Sequence, residues 1–91
     1  MTPLPEVDAR GLLCPLPVLR LRKALMALPQ GGMLRLIATD SMALVDVPHY
    51  CEVAGHAMVA LRDLGDGAHE FTVARGPSAP SAAGGLTPED M

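Results

Sequence analysis

Aromatic side chains are nearly absent from this sequence: Tyr50 and Phe71 stand alone, and there is no tryptophan among 91 residues. A surface that reads single-stranded nucleic acid by stacking bases on rings is therefore disfavoured. Positive charge is also scarce. Seven Lys and Arg against ten Asp and Glu leave a net charge of −3, the wrong sign for the basic field of a nucleic-acid binder. Cysteine is limited to Cys14 and Cys51, far too distant in sequence for a C-x-x-C pair. No apolar run approaches the roughly 20 residues of a membrane helix. The opening Met1-Thr2-Pro3-Leu4-Pro5-Glu6 lacks the charged and apolar regions of a secretory signal. A reducing cytoplasm without structural disulfides is the expectation.

What is present is aliphatic. Apolar residues make up 49% of the chain, so Leu, Val, Ala and Met must build the core, with Met26, Met33, Met42 and Met58 expected as filler. A chain of this length buries roughly 60% of its unfolded surface, enough for one two-layer domain. A deep enclosed cavity beside a separate cofactor site is not expected. Any chemistry belongs at the surface or in a partner's pocket.

Glu6–Ala9 reads as a short strand, with Val7 and Ala9 on one face, and Gly11 supplies the turn after it. Val18, Leu21, Leu25 and Leu28 then recur at three- and four-residue intervals, the stripe of an amphipathic helix. Pro29-Gln30-Gly31-Gly32 ends it. Met33–Thr39 is a largely apolar strand, expected to be central in a sheet. Asp46 reads as the N-cap of a second helix with Pro48 in its first turn. Val47, Tyr50, Cys51 and Ala54 would form its buried stripe, and Gly55 its C-terminal cap. Two alternating strands follow around Ala57–Arg62 and Glu70–Ala74, joined by a hairpin at Gly65-Asp66-Gly67.

The order β-α-β-α-β-β predicts an α+β two-layer sandwich, a mixed four-stranded sheet with two helices on one face. Residues 1–76 form the domain. From residue 77 to 91 the composition turns to Pro, Ser, Ala and Gly, which predicts a disordered tail.

The chemically informative residue is Cys14. It directly precedes Pro15, expected at the first helical position, and Pro17 is confined to the same first turn. A thiol at a helix start is favoured as its anion, because the macrodipole and nearby cations stabilise negative charge. Each proline removes one N–H donor, so only a modest lowering of the thiol pKa is expected. Four of the seven cations, Arg10, Arg20, Arg22 and Lys23, surround this segment. The competing reading makes Cys14 a small buried residue.

The run Cys14-Pro15-Leu16-Pro17, preceded by Asp8-Ala9-Arg10-Gly11-Leu12 and followed by Val18 and Arg22-Lys23, resembles the C-P-x-P motif of the TusA/SirA-like sulfur-carrier family. The resemblance continues through Asp46-Val47-Pro48 and Tyr50-Cys51 and ends near Gly76. It implies a sulfurtransferase whose Cys14 accepts sulfane sulfur as a persulfide and relays it to another protein. It also implies a cysteine desulfurase or rhodanese as donor and a downstream acceptor protein. No metal or organic cofactor is implied, the persulfide itself being the cargo. Between the prolines stands Leu16, where the branch serving tRNA thiolation is typically acidic. Leu16 is thus expected as an apolar docking point, framed by Arg10, Arg22 and Lys23.

Cys51 falls on the expected core stripe and reads as an inert buried thiol. His49, His56 and His69 match no familiar metal-ligand spacing. The remaining alternative is a non-enzymatic interaction or regulatory module of the same fold, which would tolerate loss of Cys14. A monomer that binds no nucleic acid and no membrane is expected.

Overall fold

The computed structural model describes residues 4–77. The chain runs β1 (Glu6–Ala9), α1 (Leu16–Met26), β2 (Met33–Ala38), α2 (Ala43–Ala54), β3 (Ala57–Gly65) and β4 (Ala68–Ala74). The strands form one sheet in the order β1-β2-β4-β3. The β1–β2 pair is parallel, with Val7 opposite Leu36, while β4 runs antiparallel to both β2 and β3. The expected mixed sheet with two helices is thus present, and β2 is central. Most of the segment expected to be a disordered tail lies outside the described residues.

The strand period of two sorts the core. Leu34, Leu36 and Ala38 of β2 share a face with Ala9, Phe71 and Val73, and all are buried. Leu21 and Leu25 of α1 and Ala43, Val47 and Cys51 of α2 close over that face in a single cluster. Leu28, just beyond α1, packs against the same cluster. Truncating a fully buried leucine such as Leu21 costs about 2–5 kcal/mol. The other face is held by charge. Arg35 and Arg62 reach the buried Glu70 carboxylate at 3.2 and 3.1 Å, and Arg35 lies 3.5 Å from Glu6. Two guanidiniums on one carboxylate offset its lost hydration.

Turns follow the glycine signals. Gly65 pairs with Ala68 across a two-residue loop, and both Asp66 and Gly67 have positive φ, the type I′ geometry that suits strand twist. Gly55 ends α2 in the left-handed conformation. The chain after β4 is tied back: Arg75 and the Gly31-Gly32 turn exchange backbone hydrogen bonds of 3.0 and 2.8 Å. Gly76 donates its N–H to His56 Nδ1 at 2.9 Å and leaves no room for a Cβ against the Gly55 carbonyl.

The structure corrects several expectations. The second helix begins at Ala43, so Asp46 is not its N-cap and Pro48 lies inside it. Met42 is the N-cap and makes no side-chain cap bond; Asp40 shapes the turn before it, its carbonyl accepting from Ala43 N–H at 3.0 Å and its Oδ1 from Met42 N–H at 3.1 Å. The Asp46 N–H is already committed to Met42 O, at 2.8 Å. The buried stripe is accordingly Ala43, Val47 and Cys51, with Tyr50 only half-buried. In β3, register shifts at Met58/Ala60 and Asp63/Gly65 interrupt simple alternation. Met26, Met33 and Met42 are exposed, leaving Met58 as the one expected filler methionine packed on the core.

Candidate functional site: the Cys14 loop

The connection from β1 to α1 crosses the C-terminal end of β2. Its first residues are self-tied: the Asp8 carboxylate accepts from Arg10 N–H at 3.0 Å and from its guanidinium at 2.9 and 3.2 Å. Gly11 turns with φ +81° and donates its N–H to Thr39 Oγ1 at 2.9 Å. Cys14 N–H then donates to Asp40 Oδ2 at 2.6 Å. Thr39 and Asp40 thereby pin the loop to the connection between β2 and α2. One carboxylate serves two elements, since the second Asp40 oxygen shapes the start of α2.

Cys14 is exposed. Its Sγ donates to Asp46 Oδ2 at 2.8 Å, across 32 residues of sequence. Pro15 is the N-cap of α1, with Leu16 and Pro17 as the first helical residues, so Pro15 is not at N1 as expected and Cys14 lies one residue outside the helix. That shift matters electrically. The thiol pKa is raised, not lowered: the hydrogen bond to Asp46 comes first, then desolvation, then the negative charges of Asp46 and Asp40. A dipole acts over a turn, whereas a carboxylate in direct contact dominates the site.

The other expected site residues separate. Leu16 and Lys23 line an open groove of about 450 Å³ with Leu12, Leu19 and Arg20. Pro17 is buried and does not line it. Arg10 is turned back onto Asp8. Arg22 is half-buried, and its charge acts on Tyr50 of α2. Sequence reasoning did not select Arg20 for this groove, although 16, 19, 20 and 23 share one helical face. It also missed Asp40 and Asp46 as neighbours of the thiol, because only the fold brings them there.

Cys51 contrasts with Cys14. It is 1% exposed in the α2 stripe, and burial pushes its thiol up to about 11. Among the described residues no three His, Cys, Asp or Glu side chains converge to hold a metal ion. No helix among them is long and apolar enough to cross a membrane.

The architecture has a solved counterpart. A crystal structure of a SirA-like protein from Desulfitobacterium hafniense matches with a TM-score of 0.71 and 27% identity, over 81% of this chain and all of that one. The fold is thus the SirA-like α+β sandwich, with the cysteine loop leading into α1. Residues 5–75 match the family model described as Sulfurtransferase TusA, and the chain belongs to that family.

Individual relatives agree. The sulfur carrier protein TusA of Pseudomonas syringae pv. syringae is 47% identical over 55 residues, which are 60% of this chain and 66% of that protein. The Pseudomonas putida protein of the same name is 41% identical over 58 residues, 64% of this chain and 72% of that one. The match to the first of these relatives, and to that of Pseudomonas syringae pv. tomato at 64%, spans just under two thirds of their length.

Proposed function

We propose that this protein is a sulfur carrier that holds sulfane sulfur as a persulfide on Cys14 and relays it between proteins. The observation that carries the reading is an exposed thiol on a pinned loop at the start of α1, in a chain of the TusA family. Loading begins when Cys14 Sγ attacks the terminal sulfur of a donor persulfide. A new S–S bond forms on Cys14, the donor's S–S bond breaks, and the electron pair leaves with the donor sulfur. The proton from Cys14 ends on that donor thiol. In delivery, an acceptor nucleophile takes the terminal sulfur and Cys14 leaves as a thiolate, which is reprotonated. No oxidant is consumed in either step, and no metal or organic cofactor is required.

A cysteine desulfurase or rhodanese is the donor class that fits, with a downstream sulfur-acceptor protein as recipient, in a reducing cytoplasm. Exposed Leu16 and Leu19 on the groove offer an apolar contact, and Arg20 and Lys23 favour a partner with acidic groups beside it. A monomer that binds its partners in turn suits this role.

The test is intact-protein mass spectrometry after incubation with a cysteine desulfurase and cysteine, and separately with a rhodanese and thiosulfate. Wild type is expected to gain reducible sulfur and Cys14→Ser to gain none. Failure of wild type with both donors would overturn the carrier reading in favour of a binding module.

A further inference from the structure

Asp46 sits where the carrier cycle changes charge. Its Oδ2 is 2.8 Å from Cys14 Sγ, and its backbone is fixed within the first turns of α2 by the bond to Met42 O. Asp40 lies on the same side, accepting from the Cys14 N–H at 2.6 Å. The charged groups that act on the sulfur are therefore carboxylates, Asp46 from α2 and Asp40 from the loop before it. Of the cations on and before α1, Arg20 and Lys23 line the groove beside Leu16, Arg22 acts on Tyr50 of α2, and Arg10 is bound to Asp8.

We propose that Asp46 distinguishes the empty carrier from the loaded one, holding the Cys14 thiol protonated and at rest, and repelling the persulfide once sulfur has been added. This assignment rests on the carrier reading for its second half. In the empty state the S–H bond points at an anionic acceptor, a charge-assisted hydrogen bond that exists only while the sulfur keeps its proton. On loading, the S–H bond is replaced by an S–S bond, and Sγ has no hydrogen left to donate. The proton has gone to the departing donor sulfur. The terminal sulfur stands about 2.0 Å beyond Sγ. A persulfide is a stronger acid than a thiol, so this sulfur carries negative charge, and the two carboxylates now oppose what they previously held. The contact thus changes sign with the cargo. It lowers the reactivity of the empty carrier toward adventitious electrophiles and favours release of sulfur by the loaded one.

The pH profile of Cys14 alkylation by iodoacetamide tests the first half in the full-length protein, with peptide mapping to follow Cys14 alone. Wild type should react with a midpoint above the value of about 8.5 of a free cysteine. Asp46→Asn should lower the midpoint and raise the rate at pH 7 severalfold, and Asp46→Glu should restore part of the difference. A wild-type midpoint at or below that of free cysteine would overturn the proposal without any variant. An unchanged profile in a folded Asp46→Asn protein would overturn it too. The second half is read from the loaded fraction at equilibrium with glutathione persulfide, expected to rise in Asp46→Asn and overturned if it falls or stays level. Absence of loading in wild type would instead contradict the carrier reading, leaving the alkylation profile as an independent result.

Discussion

The two cysteines place one side chain in opposite surroundings. Cys51 lies among Ala43, Val47 and the sheet residues of the core, and its thiol is suppressed by the loss of water alone. Cys14 stands in solvent, and its thiol is suppressed mainly by a carboxylate that accepts its S–H hydrogen bond. Both pKa values move upward, yet the consequences differ. Removing burial requires unfolding the domain, whereas a hydrogen bond to Asp46 can be exchanged in place when a partner or a new bond arrives. A raised pKa therefore does not by itself mark an inert thiol. What matters is whether the cause can be undone without losing the fold.

The largest expected effect separates the two residues outright. Cys14→Ser should lose sulfur loading entirely, while its unfolding free energy in urea stays within about 0.5 kcal/mol of wild type, as for exposed sites in general. Cys51→Ser should keep loading and lose roughly 1–3 kcal/mol of stability, because a hydroxyl is then buried in an apolar stripe. A Cys51→Ser protein that folds normally but cannot load would break the comparison.

Alkaline pH sharpens it further. A thiol whose folded pKa is raised contributes stability that is full below its unfolded value and is lost as pH rises through the folded one. For Cys51 that window runs from near 9 to about 11. Chemical denaturation across this range should show a decline in wild type that is smaller in Cys51→Ala. His56 gives the opposite slope. Burial, then the charge of Arg75, lowers its pKa, so its contribution is present above about 6.5 and lost as pH falls. Acidification should therefore weaken protection of the Gly76 amide in hydrogen exchange, since that N–H is donated to the neutral His56 ring.

The smallest effect belongs to the groove rim. Reversing Arg20 and Lys23 to Glu should slow sulfur transfer from a donor protein by a few-fold and weaken its dependence on salt, as rim charges act mainly on association. Transfer rates that do not respond would remove electrostatics from docking and leave the apolar contact.

The elements most legible in the sequence were those whose apolar period and stop signals agree. β1 was read with its observed bounds, the helix stripe through Val18, Leu21 and Leu25 faces the core, and Gly65-Asp66-Gly67 makes the hairpin. The start of α2 was misread: Asp46 has the composition of an N-cap, but the helix starts earlier, behind Met42, which makes no side-chain cap bond and whose turn is shaped by Asp40. The same error hid the carboxylate beside the thiol. With Asp46 assigned to cap a helix, nothing marked it as free to meet Cys14 from 32 residues away. The expected lowering of the Cys14 pKa failed for that reason. A helix dipole is a property of local sequence, but the two carboxylates are delivered by tertiary structure.

The most direct test of the account is to load the wild-type protein with a cysteine desulfurase and cysteine, quench it with an alkylating reagent, and map the added sulfur by peptide mass spectrometry. Persulfide is expected on the peptide containing Cys14 and none on the peptide containing Cys51. Sulfur found on Cys51, or on neither cysteine after loading with either donor class, would contradict it.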